Sequence, residues 1–341
     1  MKEKMDLQSF KPVLLHIPTV STELSRTDLV GAFKMRLGIG RDRYRVSPGL
    51  YKVGKPGAYS DVLVSANYKL SFDMLRKNLK GLDVWILVID TKGVNVWCAA
   101  GKGTFSTRNV VKSIQDASLE HLVKHRKIIL PQLSASGVSA YKVKEQTGFR
   151  AIFGPVRAED IKPFVEADYK ATPQMRKIFF PMKERAKLVP VDILYTKYKL
   201  LLILSILFFF SGLDKSGFLF SRMAESGLFP VISVFGAYMA GIVLAPVFLT
   251  WIPFRAFALK GAFWGLAVSI VFYFLFGVSK MEAIALGFIN VSVASFMTMN
   301  FTGSSTYTSL SGVRKEMGWA VPFQISFVLV GFTLFVLSKM L

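Results

Sequence analysis

From Leu200 onward the chain consists largely of apolar runs too long and too uniform to be amphipathic elements in water, and this constrains its architecture most. The first opens with Leu200-Leu201-Leu202-Ile203-Leu204 and continues to Phe210. Five spans are read: Tyr198 to Leu213, Leu228 to Trp251, Ala256 to Val278, Met281 to Thr302, and Trp319 to Ser338. Each approaches the ~20 apolar residues that cross a bilayer core, the first being short and extended by polar flanks. Five buried helices of a soluble bundle would need polar faces that these runs lack. Lys260 near the start of the third span is expected to snorkel to the interface. Lys260 and Glu282 both lie near span ends, which argues for anchoring rather than a charged pathway.

Charge divides the chain at the same place. Met1 to Lys199 carries 35 Lys+Arg against 18 Asp+Glu, whereas the remainder carries 8 against 4. The expected domains are therefore residues 1–197, soluble, and 198–341, an all-α transmembrane domain of about five helices. The start, Met-Lys-Glu-Lys-Met-Asp, has no apolar core of the signal-peptide kind. Arg176, Lys177, Lys183, Arg185, Lys187, Lys197 and Lys199 crowd the approach to the first span. By the positive-inside rule the soluble part is expected in the cytoplasm, with a multi-pass anchor in the cytoplasmic membrane. Its basic surface suits anionic membrane lipid or an acidic electron donor. No nucleic-acid partner is expected, since RNP-like aromatics and zinc-finger spacings are absent.

The soluble part reads as α/β. Candidate strands are Asp61 to Val64, Val84 to Ile89, Lys127 to Pro131 and Arg150 to Phe153. Helical patterns cover Ser71 to Leu79, Arg108 to His125, Val138 to Gln146 and Ala158 to Ala167. The alternation predicts a Rossmann-like, mainly parallel sheet with right-handed crossovers. Ligands of such sheets gather at the C-terminal strand ends, here the loops Asp90 to Asn95, Gln132 to Gly137 and Gly154 to Arg157.

Cys98, the only cysteine, follows the first of these loops. One thiol makes no internal disulfide and holds no cluster, so it is either a small buried hydrophobe or a lone thiolate. Asn95 suits an N-cap and Gly101 a C′ position, which places Cys98 near the third residue of a two-turn helix. Free N–H groups and the helix dipole there favour a thiolate. Ala99 and Ala100 would leave a flat surface beside the sulfur, with Trp97 as a packing anchor. Lys102 either meets an anionic group or is a solvated C-terminal charge. Ser134, Gly137 and Gly154 could admit a ligand to the backbone, though ordinary turns explain them equally.

Other motifs fail. Gly101-Lys102-Gly103-Thr104 lacks the glycine-rich loop of a phosphate-binding motif, and Gly38-Ile39-Gly40 lacks a third glycine. His121 and His125 share a helix face without a third ligand and read as a solvated or cap-side pair.

Asn95-Val96-Trp97-Cys98-Ala99-Ala100-Gly101-Lys102 resembles the cap-helix motif of the corrinoid protein family of mercury methylation (HgcA). The segments Val62 to Leu70, Leu130-Pro131-Gln132-Leu133 and Gly154-Pro155-Val156-Arg157-Ala158-Glu159-Asp160 are similar to the corrinoid domain of the large corrinoid iron–sulfur protein subunit. The apolar C-terminal part also fits the mercury-methylation family.

The resemblance implies a cobamide-dependent methyltransferase of anaerobic metabolism. Its cofactor is a cobamide, a cobalamin-type corrinoid bound base-off, with Cys98 thiolate as lower axial ligand to the cobalt. Asn95 to Lys102, Ser134, Gly137, Gly154 and Val156 are the expected corrinoid contacts. Methyl-Co(III) would pass its methyl group to Hg(II), forming methylmercury. A thiolate pushes electron density onto its metal, favouring departure of a methyl group toward a soft acceptor. The implied partners are a ferredoxin-like [4Fe-4S] electron donor and a methyltetrahydrofolate-linked methyl donor system. Two other readings stay open: a corrinoid methyl carrier for another acceptor such as a thiol coenzyme, and a non-enzymatic membrane protein sensing soft metals through Cys98.

Overall fold

The β-branched and aliphatic stretches Val62–Ala66 and Val84–Ile89 are buried along their whole length. That pattern belongs to central strands covered on both faces. The computed structural model of the chain describes residues 17–40, 43–301, 307–308 and 310–341. His16 and Thr302, the expected end of the fourth span, lie outside the described residues. The chain divides into two compact units between Ile178 and Phe179, apart from Arg36–Gly38, which cluster with the second.

In chain order the first unit contains α1 (Arg26–Arg36), β1 (Gly49–Val53), β2 (Val62–Ala66), α2 (Lys69–Lys77), β3 (Val84–Ile89) and α3 (Val96–Lys102). Then come α4 (Thr107–Asp116), α5 (Leu119–Leu122), β4 (Lys127–Leu130), α6 (Ala140–Thr147), β5 (Arg150–Phe153) and α7 (Ile161–Glu166). Among the described residues the sheet order is β1-β3-β2-β4-β5. The four later strands run parallel, and β1 pairs antiparallel with β3 along Gly49↔Val88 to Val53↔Val84. The sheet is therefore mixed rather than wholly parallel. Strand β1 escapes a hydropathy reading because four of its five residues are only half-buried.

Alternation along the strands feeds two cores. Val62, Val64, Trp85, Leu87 and Ile89 meet α3, α4 and α6 through Ala99, Val110 and Val143. Leu63, Val84, Ile86 and Val88 meet α2 and α7 through Phe72, Leu75, Ile161 and Phe164. Each fully buried aliphatic side chain contributes ~1.5–3 kcal/mol, so both faces are strongly specified. The helix expected from Arg108 to His125 is broken: Ser118, in the left-handed region at φ 47°, separates α4 from α5. The pattern from Ala158 splits likewise into a 3₁₀ turn and α7.

A buried ion network ties α1 to α2. Lys69 Nζ donates to Asp28 at 2.6 Å and to Asp73 at 2.7 Å. Arg76 bridges the same two carboxylates at 2.7 and 2.8 Å. Burial alone would raise the Asp28 pKa, but hydrogen bonds from Lys69, Ser25 and Arg76 outweigh it and hold the carboxyl well below its usual range.

The second unit contains α8 (Met182–Ala186), α9 (Val189–Phe210), β6 (Leu213–Asp214), β7 (Gly217–Phe218) and α10 (Phe220–Ser226). After these come α11 (Leu228–Met239), a π-turn at Ala240–Leu244, α12 (Ala245–Val247), α13 (Phe257–Phe276), α14 (Lys280–Asn300) and α15 (Leu310–Met340). The unit is not all-α, since β6 and β7 form a hairpin. Among the described residues, five helical segments are long and apolar enough to cross a membrane. Helix α14 is the most enclosed; Gly261 and Gly265 of α13 lie against its backbone near Ala294 and Asn290, where any Cβ would collide. Small residues one turn apart allow this close crossing.

Two cations behave differently from expectation. Lys260 does not snorkel: it is buried, and its ammonium donates to the carbonyls of Leu249 and, at 3.2 Å, Ile252. Those carbonyls follow the end of α12, where no helical N–H remains for them. Arg185, 4% exposed, donates to Val247 O at 2.9 Å and to Phe180 O at 3.3 Å. Phe180 stacks on Phe301 at 6.0 Å. These contacts draw the segment after Phe179 into the helical unit, so the division precedes the Lys197/Tyr198 boundary that hydropathy suggests.

Candidate functional site at the ends of the parallel strands

Helix α3 leaves the end of β3 but packs over the end of β2 and against the 3₁₀ turn Gln132–Ser134 that follows β4. Strand β2 sits between β3 and β4, so chain connections diverge there. This divergence is the switch point at which open α/β sheets bind ligands.

The sequence positions α3 through two loops. Asn95 is its N-cap, and its side chain accepts from the Cys98 N–H at 2.9 Å. Cys98 is the third helical residue, and its own N–H is thus already engaged rather than free. The helix runs one residue past Gly101 and ends at Gly103, left-handed at φ 77°, so Gly103 and not Gly101 is the terminating glycine.

Upstream, Asn67 governs the loop. Its Oδ1 accepts from Thr91 N at 3.0 Å, Thr91 Oγ1 at 2.9 Å and Gly93 N at 2.9 Å. Its Nδ2 donates to Asp90 at 2.9 Å, and Asp90 in turn accepts from Lys92 N. Asn67 and Thr91 are buried, and the Thr91 hydroxyl also reaches Val94 O at 2.7 Å. Asn67 was not among the residues expected from sequence; the signal was a polar residue directly after an apolar strand, at a strand end where ligands gather.

The helix faces differ from expectation. Val96, Ala99 and Ala100 point inward and are buried, so the alanines pack the helix down instead of flattening its outer surface. Trp97 is 36% exposed and is not a buried packing anchor. Lys102 and Gly101 are exposed, and a Cβ at Gly101 would meet nothing within 4 Å. Cys98 is partly exposed, so it is not a fully buried hydrophobe.

The supporting loops pack rather than open. A Cβ on Gly137 would collide with Phe105 O and lie 3.1 Å from Ala100 Cα, so this glycine is what lets the loop after β4 close against α3. Ser134 is fully buried and its hydroxyl donates to Pro131 O at 2.8 Å within its own turn. Gly154 is buried against Ile129, and Val156 N donates to Met175 O at 2.8 Å. Ser134 and Gly154 therefore do structural work in their turns. His125 bonds Ser60 O at 2.8 Å through Nε2 and accepts from Lys127 N at Nδ1, apart from His121.

The fold and site define a class: a doubly wound α/β domain whose short capped helix carries one partly exposed thiol over the switch point. Residues 29–165 match the family model of CdhD, the CO dehydrogenase/acetyl-CoA synthase delta subunit, and so span every element from β1 to β5. The chain is 31% identical over 130 residues to the acetyl-CoA decarbonylase/synthase complex subunit gamma of Methanopyrus kandleri. It is 28% identical over 131 residues to the same subunit of Archaeoglobus fulgidus. Each similarity covers 38% of this chain, and 28% and 27% of the respective relatives. The apolar helices lie outside the matched residues.

Proposed function

We propose that the chain is a membrane-anchored, cobamide-dependent methyltransferase that delivers a methyl group to Hg(II), forming methylmercury, with Cys98 thiolate as lower axial ligand to the cobalt of a base-off cobamide. The observation that carries this reading is the placement of Cys98: partly exposed, at the third position of a capped helix over the switch point. The residues present fit such a group. A thiol is a soft donor, and Cys98 and Gly101 are both accessible on α3.

When bound, the cobamide supplies the metal that carries the methyl group. The chain's own residues hold and tune it. Asn95 fixes the start of α3 and hence the sulfur. Asn67 fixes the loop that feeds α3, and Gly137 lets the helix close. Trp97 offers an exposed indole beside the thiol, and Lys102 a cation at the far end of the helix. A single cysteine holds no iron–sulfur cluster, so a ferredoxin-like [4Fe-4S] partner supplies low-potential electrons on this reading. Methyl groups arrive from a methyltetrahydrofolate-linked system. The five apolar helices anchor the chain in the cytoplasmic membrane, with the cysteine-bearing unit on the cytoplasmic side, following the basic cluster before α9.

A second reading has its own support: the relatives are subunits of acetyl-CoA decarbonylase/synthase complexes, which favours methyl carriage to an acceptor other than mercury. The experiment loads full-length protein with a methylated cobamide and offers Hg(II) or a thiol coenzyme in parallel. Methylmercury formed with Hg(II), and lost in Cys98→Ala, supports the first reading. Transfer to the thiol alone selects the second.

A further inference from the structure

Helix α1 turns its polar group in and its apolar groups out. Its one acidic residue, Asp28, bonds inward to Lys69 and Arg76, and Met35 is its only buried apolar side chain. Leu29, Val30 and Phe33 are 55%, 52% and 63% exposed. Residues 29 and 33 are one helical turn apart and residue 30 lies beside them, so the three form a single apolar face. Gly31 sits on the opposite side, where a Cβ would collide with the Tyr44 ring. Arg26, Lys34 and Arg36 flank the apolar face and are exposed, as is Thr27. The outward surface is thus apolar at its centre and cationic at its rim, with no carboxylate. A contiguous apolar face with a polar rim marks a surface that something covers.

Charge decides between occupants. A second copy meeting this face symmetrically would bring the same three cations against these. A bilayer containing acidic lipids offers phosphates to the rim and acyl chains to the centre, the pairing used by helices that lie in a membrane interface.

Position agrees with charge. Gly38, two residues past α1, belongs with the helical unit, where a Cβ on it would stand 3.7 Å from the Tyr195 ring. Consecutive Cα atoms are ~3.8 Å apart, so Arg36 lies within ~8 Å of Gly38. Counted back from Leu213, just ahead of Asp214 and Lys215, the ~20 residues of a span reach Leu194. That count sets Tyr195 at the near boundary of the hydrocarbon. With the exposed Tyr198 and Lys197 it makes the aromatic and cationic belt of a span end.

We propose that α1 lies in the head-group layer of the membrane that the second unit spans, with Leu29, Val30 and Phe33 toward the acyl chains and Arg26, Lys34 and Arg36 on lipid phosphates. The proposal depends on the helices being membrane spans and is independent of the methyl-transfer reading.

The test is spin-label accessibility in the full-length protein, held at one copy per nanodisc of phosphatidylglycerol and phosphatidylcholine so that no second protein is present. A nitroxide is attached at Phe33→Cys, or at Leu29→Cys as a second position, with Cys98→Ala removing the native thiol. Power saturation is read with oxygen, which concentrates among acyl chains, and with a water-soluble nickel chelate. Oxygen is expected to relax both labels. The chelate is expected to relax them several-fold less than a label at Tyr59→Cys, an exposed residue on the loop before β2. Lys34→Glu with Arg36→Glu should raise chelate access at residue 33 in the mixed discs, and raise it less in phosphatidylcholine alone. Chelate access at residues 29 and 33 equal to that at residue 59 overturns the proposal. So does a label shielded from both reagents, which would put the face against protein. Access unchanged by the double charge reversal overturns the phosphate contact.

Discussion

The Asn67 side chain spans from the end of β2 to Thr91, accepting from both the backbone N–H and the hydroxyl of that residue. The two belong to neighbouring strand ends, so a single amide sets the path by which the chain leaves β3 and enters α3. Because α3 carries Cys98, the geometry of the thiol is inherited from a residue thirty-one positions upstream.

Replacing Asn67 by Ala removes the acceptor for the Thr91 and Gly93 N–H groups, the first of them buried, while the Thr91 hydroxyl keeps Val94 O at 2.7 Å. The expected loss is ~1–3 kcal/mol of stability, because a buried donor is left unpaired. Denaturant titration of the membrane-embedded protein, read by fluorescence, measures it. An effect below a few tenths would mean that the loop holds its shape without this amide.

Asn95→Ala should cost ~1 kcal/mol by removing the N-cap, and Asn95→Asp should recover most of it. The specific readout is hydrogen exchange at the Cys98 amide, which should quicken in the alanine variant alone.

Gly137 and Gly101 make opposite predictions. Gly137→Ala forces a methyl group against Phe105 O and the α3 backbone and should cost ~1–3 kcal/mol. Gly101→Ala meets open space inside a helix and should stabilise by ~0.5–1 kcal/mol. Thermal melts of the two variants, compared with wild type, decide whether α3 is seated as described.

The ion network sets an acid limit. The folded Asp28 carboxyl is held below its unfolded range, so its contribution is present above the unfolded carboxylate pKa and is lost as pH falls toward the folded one. Stability should therefore fall more steeply below about pH 4 in wild type than in Asp28→Asn, with the variant ~1–3 kcal/mol weaker at neutral pH. Parallel acid dependences would show that Asp28 does not carry the coupling.

Much of this architecture was legible in the residues, for physical reasons that also explain the gaps. Strands β3 and β4 announce themselves because burial leaves uninterrupted hydrophobic runs, and the five apolar segments because a bilayer demands no polar face. Strand β1 does not, because an edge strand buried on one side looks like a loop. The N-cap role of Asn95 was local and readable, whereas the inward turn of Ala99 and Ala100 depends on Gly137, far along the chain. Lys260 and Arg185 misled for the same reason. A long cation near an apolar run can snorkel outward or bend inward to carbonyls, and only packing decides which.

The most direct test of the central claim is the ultraviolet–visible spectrum of the full-length protein and of Cys98→Ala, each reconstituted with cobalamin. The account predicts bound corrinoid with cobalt–thiolate features in the wild type, and their loss in the variant. Identical spectra from the two proteins would contradict it, removing Cys98 from the metal even if corrinoid is bound.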